Sequence, residues 1–164
     1  MEIHLPDNDA KLYGRLHVSS LDLDLAKYCV GVILKKGWHH QPWEKRGTVY
    51  LQQSAFMSAL VTAYARPFTK SRGWPKFPPD LKEFDTEENK LHDQLMELRN
   101  TVYAHSDSKN YSIRPWRTPN FSTDIVGAPV LRISAKEAAL LKRMIQKLQL
   151  AISRRMTEIA PNAS

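Results

Sequence analysis

Residues 85–107 read DTEENKLHDQLMELRNTVYAHSD, and the organisation of the chain follows from this stretch. Asp85 and Glu88 stand three apart, the spacing of a capping box, in which each side chain bonds the other's backbone N–H. Leu91, Leu95, Leu98 and Val102 then recur at i, i+4, i+7 and i+11, one apolar stripe of a helix predicted over 86–104. A second row with the same spacing, His92, Met96, Arg99 and Tyr103, lies about 100° round the helix and borders the core. A row that mixes imidazole, thioether, guanidinium and phenol beside a core suits a groove or a subunit contact. The plainer reading makes Arg99 a cation favoured by the helix dipole and His105 a terminal cap.

Working outward, residues 109–133 change character. Tyr111–Arg114 and Val130–Ile133 carry β-branched and aromatic residues between proline and glycine turns, which predicts a short hairpin. Ser134 with Glu137 repeats the capping-box spacing and opens a last helix, with Leu141, Ile145, Leu148 and Ile152 as its stripe. On the N-terminal side, Asp80 with Glu83 marks a short helical turn, and the loop Thr69–Pro79 precedes it. A helix over about 49–66, with Phe56, Leu60 and Ala63 inward, ends at Pro67, whose ring disfavours helical geometry in the residue before it. Ser20 reads as the cap of a first helix, Asp22 and Asp24 fill its first turn, and Lys35-Lys36-Gly37 stops it. Residues 1–19 read as an irregular arm, 20–158 as one helical domain and 159–164 as a tail. The fold class expected is mainly α, a four-to-five-helix up-and-down bundle with a short β-hairpin before the last helix.

Composition bounds the function. At 164 residues the chain is one domain by length, and 42% apolar content is enough for a core. Its 24 Lys+Arg against 17 Asp+Glu leave a formal charge of +7, a mild bias towards polyanions. A lone Cys29 excludes an internal disulfide, and its place on the core stripe of the first helix makes it a buried hydrophobe. No run of eighteen apolar residues and no leader-like N-terminus is present, so a soluble cytoplasmic domain is expected. Acids crowd 80–97 and bases 132–155, the complementary solvated faces of two helices.

The stretch Arg99-Asn100-Thr101-Val102-Tyr103-Ala104-His105 resembles the R-x4-6-H signature of the HEPN superfamily, often with Asn after the Arg, at the end of a long third helix. Ser106-Asp107, Tyr64-Ala65-Arg66-Pro67-Phe68 and Leu131-Arg132-Ile133-Ser134 are also similar to small bacterial HEPN-like proteins, over residues 20–155 in all. The resemblance implies a metal-independent endoribonuclease, a toxin or phage-defence effector, in which two copies pair so that both motifs face one cleft. RNA supplies its own 2′-hydroxyl as nucleophile, so neither metal nor cofactor is implied. His105 would move the proton and Arg99 would neutralise the phosphorane, giving a 2′,3′-cyclic phosphate and a 5′-hydroxyl. Asn100 would hold the imidazole or the phosphate, while Asp107 would orient the ring or cap a turn. Tyr103, His92 and Arg66 would support the site, and an antitoxin or defence-system protein is the implied partner. Some HEPN toxins carry, two residues after the histidine, a tyrosine that a partner modifies; Asp107 stands there in this chain. On an unbroken helix Arg99 and His105 diverge by about 120°, so either the helix ends near Ala104 or two protomers share each site. The alternative is a non-catalytic HEPN module that binds a nucleotide, RNA or a protein; a third reading is a plain oligomerisation bundle.

Two loops interleave cations with aromatics: Lys70, Arg72, Trp74, Lys76 and Phe77 in one, Tyr111, Arg114, Trp116 and Arg117 in the other. Stacking on unpaired bases with phosphate contacts suits single-stranded RNA. Alternatively, Trp74 and Trp116 pin their loops to the bundle. His39-His40 lacks the spacing of a metal site.

Overall fold

A computed structural model describes residues 4–45, 47–103, 108 and 111–161, with the backbone alone at 102 and 103. Among the described residues it is a four-helix bundle with a two-stranded hairpin before the last helix, as the sequence predicts. The helices are α1 (Asp7–Lys36), α2 (Thr48–Ala65), α3 (Thr86–Leu98) and α4 (Ala135–Ile159). α1 packs against α2 and α4, and α3 closes the ring by contacting the same two helices.

Local chemistry sets the helix ends. Both predicted capping boxes form: Asp85 and Glu88 bond each other's backbone N–H, and so do Ser134 and Glu137. The Ser134 bonds hold the Glu137 carboxyl below its usual range. α1 stops at Gly37, whose φ of 63° lies where a side chain is disfavoured. Its N–H reaches Leu34 O while that of Trp38 reaches Ile33 O, a Schellman ending. Trp38 then meets Phe56 edge-on at 5.4 Å, which fastens the turn to α2.

The core draws Leu16, Leu23, Val30 and Ile33 from α1, with Met57, Leu60 and Tyr64 from α2. α4 adds its whole predicted stripe, Leu141, Ile145, Leu148 and Ile152, widened by Met144. Cys29 is buried, and burial pushes its thiol pKa up. α3 supplies only Leu91 and Leu95 as buried apolar residues and buries the polar Glu88 and His92 beside them. The complementary charges of α3 and α4 do meet. Lys147 Nζ lies 2.9 and 2.8 Å from the two Glu88 oxygens, and Lys136 pairs with Glu87 at 3.4 Å.

Three expectations need correction. Residues 7–19 are not an irregular arm: α1 starts after Pro6, with Asp7 and Asp9 in its first turn, and Ser20 is a mid-helix residue. The inward face of that stretch is Arg15, Leu16 and Ser19, too polar to show an apolar period. The hairpin pairs β1 (Ser112–Thr118) with β2 (Phe121–Gly127), not with 130–133. Two residues suffice to turn the chain at Pro119-Asn120. The 130–133 segment is instead held by side chains of other elements: Tyr50 Oη accepts from Leu131 N, and Gln53 Nε2 and His39 Nδ1 donate to Leu131 O and Ile133 O. Finally, α3 ends at Leu98 and continues as a π-helical turn, Arg99–Tyr103, in place of an α-helix to 104. Among the described residues no helix is long and apolar enough to cross a membrane.

Candidate functional site

The Thr69–Pro79 loop and the outer edge of α3 enclose a cleft of about 380 Å³. Two residues of α1 hold the loop there. Arg15 is only 4% exposed, and its Nη2 donates to the carbonyls of Arg66 (3.3 Å), Pro67 (2.6 Å) and Thr69 (3.0 Å). A guanidinium on carbonyls at a helix C-terminus answers both their unmet bonds and the dipole. Burial lowers the Arg15 pKa, opposed by Asp22. One helical step away, the Trp74 ring fills the space beside Gly14: a Cβ there would stand 2.7 Å from Trp74 Cζ3. Trp74 thus pins its loop to the bundle, yet it is 40% exposed and lines the cleft.

The floor is His92, 5% exposed, with Met96 one turn on. Phe68 meets the imidazole edge-on at 4.7 Å, and Tyr64 and Phe84 stand at 5.8 and 5.7 Å. Burial, reinforced by Lys82 and opposed by Asp93, drives the His92 pKa down to about 4, so the ring is neutral at physiological pH. Its Nδ1 lies 2.9 Å from the Tyr64 hydroxyl, whose pKa is raised by burial first and then by Glu88 and Asp93. Lys70, Lys76 and Lys82 face the cleft, and among the described residues no carboxylate lines it.

Arg99 extends the row begun by His92 and Met96. Its backbone N–H still bonds Leu95 O and Met96 O, so it keeps helical phase with the two floor residues before the π turn starts to widen the ladder. The Thr101 hydroxyl donates to Glu97 O at 2.9 Å, adding a side-chain bond at that change of pitch. The half-buried Arg99 guanidinium donates to Asn100 Oδ1 at 2.9 Å, and no carboxylate partner for it exists among the described residues.

The expected site residues therefore separate into groups. Lys70, Trp74, Lys76 and His92 come together in the cleft, and Arg99 with Asn100 stands at the end of the same helix row. Arg72 sits on the exposed loop without lining the cleft. Arg66 is turned away into an ion pair with Asp22 at 3.0 Å. Arg114, Trp116 and Arg117 are on the exposed hairpin and line no part of the cleft. There, Trp116 packs on Phe121 at 5.9 Å, and Arg117 donates to Thr123 O and pairs with Asp124 at 3.4 Å. His105, Asp107 and the side chain of Tyr103 lie outside the described residues.

Sequence reasoning missed Gly14, Arg15, Tyr64 and Lys82. Pro6 followed by Asp7 and Asp9 is a helix-start signal that would have placed Gly14 and Arg15 on α1. Nothing in the sequence pairs Tyr64 with His92. No protein-family model matches the chain, and no curated protein or solved structure matches it.

Proposed function

We propose that this chain is a metal-independent endoribonuclease of the HEPN kind, a cytoplasmic toxin or defence effector that acts as a homodimer. The observation that carries the reading is the Arg99 guanidinium: half-buried, held by the Asn100 amide, free of any carboxylate among the described residues, and in line with a cation-rimmed cleft. Of the other arginines, Arg66 is ion-paired with Asp22, Arg117 with Asp124 and Arg155 with Asp80. An unneutralised fork is what a phosphorane requires. In the proposed reaction His105 takes the proton of the ribose 2′-oxygen as that oxygen bonds phosphorus. The 5′-oxygen leaves with a proton, and a 2′,3′-cyclic phosphate remains. A π turn supports the reading because such irregularities collect at functional sites.

Pairing of two copies is supported by α1. Val18, Leu21, Leu25 and Tyr28 are exposed at 3-4-3 spacing along its outer face, the seam that a second helix covers. The alternative, a module that binds RNA or a nucleotide without cleaving it, is favoured by the neutral His92 floor, which offers hydrogen bonding without proton transfer near neutral pH.

Labelled RNA incubated in EDTA with wild type, Arg99→Ala and His105→Ala separates the two. Cleavage by wild type that falls at least 100-fold in both variants supports the nuclease. Arg99→Lys is expected to stay inactive, because an ammonium cannot make forked contacts. Inert wild type that still binds RNA in a salt-dependent way leaves the binding module.

A further inference from the structure

We infer that the cleft between the Thr69–Pro79 loop and α3 is a subsite for one unstacked nucleotide, with His92 donating a hydrogen bond to an acceptor on its base. The inference rests on the reading of RNA as the ligand and names where one of its nucleotides sits. Four features of the cleft select that chemistry. Its walls include Phe68, Trp74 and Phe77, which offer π faces and edges to a flat ring. Its rim carries Lys70, Lys76 and Lys82 and, among the described residues, no acid, which selects an anion. Its volume of about 380 Å³ lies at the small end of the range for small-ligand sites, about 300–1,000 Å³.

The fourth feature is the direction of the floor's hydrogen bond. The Tyr64 side chain is fully buried, and among the described residues its hydroxyl has no partner but His92 Nδ1. A buried O–H without an acceptor is costly, so Tyr64 donates and Nδ1 accepts. The neutral ring then carries its proton on Nε2. Among the described residues that nitrogen has no protein partner, and the His92 side chain lines the cleft. The floor therefore presents one N–H donor beneath aromatic walls. A base carbonyl or ring nitrogen accepts it, and the attached phosphate reaches the lysines.

The test uses a fluorescein-labelled ten-nucleotide 2′-O-methyl RNA, which lacks the attacking hydroxyl and cannot be cleaved by the proposed route. Trp74→Ala is expected to weaken binding about tenfold through lost stacking, and His92→Phe about fivefold through the lost donor. Lys76→Gln should also flatten the salt dependence by about one phosphate contact. Trp74→Phe, which keeps an aromatic ring, should restore most of the affinity and so guards against a folding defect in the alanine variant. Competition by adenosine 5′-monophosphate assigns the site to a free nucleotide as well. Failure to compete, with the three losses intact, assigns it to a nucleotide within a strand. Wild-type affinity in Trp74→Ala, Lys76→Gln and His92→Phe overturns the subsite, even where wild type cleaves RNA in EDTA and the nuclease reading stands. An inert wild type whose binding still depends on Trp74 overturns the nuclease and leaves the subsite.

Discussion

His92 shows how one residue ties the cleft to stability. Its ring sits among Tyr64, Phe68 and Phe84, with Lys82 and Asp93 as the charges that act on it, and its pKa falls from 6.5 to about 4. Between those values the unfolded chain takes up a proton that the folded chain refuses. This contribution to stability is therefore present above pH 6.5 and is lost as pH drops towards 4, by about 3 kcal/mol. Urea denaturation at pH 7 and pH 4.5 checks it: wild type should lose more stability over that interval than His92→Gln, and equal losses would refute a buried neutral imidazole. Gly14 shows the same coupling from the other side. A mid-helix glycine lowers helix propensity and blurred the reading of residues 1–19, yet the missing side chain is what admits the Trp74 ring. Sequence pattern registers the penalty and not the tertiary contact that requires it.

Among the elements, α3 is the polar wall of the bundle, and Glu88 anchors it. The Glu88 carboxylate accepts from Asp85 N at 3.0 Å and from Lys147 Nζ of α4, so one side chain serves both the helix start and the contact between helices. Glu88→Gln keeps an acceptor for Asp85 N and removes the charge. It is expected to cost about 1–2 kcal/mol, below the figure for a fully buried pair because Lys147 is half in water. Glu88→Ala should cost about 1 kcal/mol more through the broken capping box. Unchanged urea midpoints in both variants would show that the pair contributes nothing. The two capping boxes were legible because their chemistry is complete within four residues. The hairpin register was not: residues 130–133 have strand-like composition, but the hydroxyl of Tyr50 and the amide of Gln53 hold them in place of a second strand.

For the molecule as a whole, the exposed α1 seam bears on the proposed pairing. Leu25→Glu places a charge in the middle of Val18, Leu21, Leu25 and Tyr28 without touching the buried core. Sedimentation or light scattering should find wild type at twice the chain mass and Leu25→Glu at the chain mass. A wild-type monomer at micromolar concentration would remove both the dimer and any cleft shared by two motifs. The net charge of +7 is not spread evenly over this molecule. Acids of α3 and its approach meet bases of α4, while among the described residues no acid lines the cleft that the loop lysines face.

Helix number, the two capping boxes, the α4 stripe, the burial of Cys29 and the match between acidic and basic helices were all determined by sequence alone, because each is settled by neighbours within a few turns or by burial of one helical face. The tertiary structure alone decided that Arg15 and Gly14 hold a distant loop, that Tyr64 orients His92, and that the aromatic and cationic loop residues divide between a cleft and a hairpin. Those pairings join residues far apart in the chain, and no local periodicity encodes which distant group will fill a space or meet a hydrogen bond.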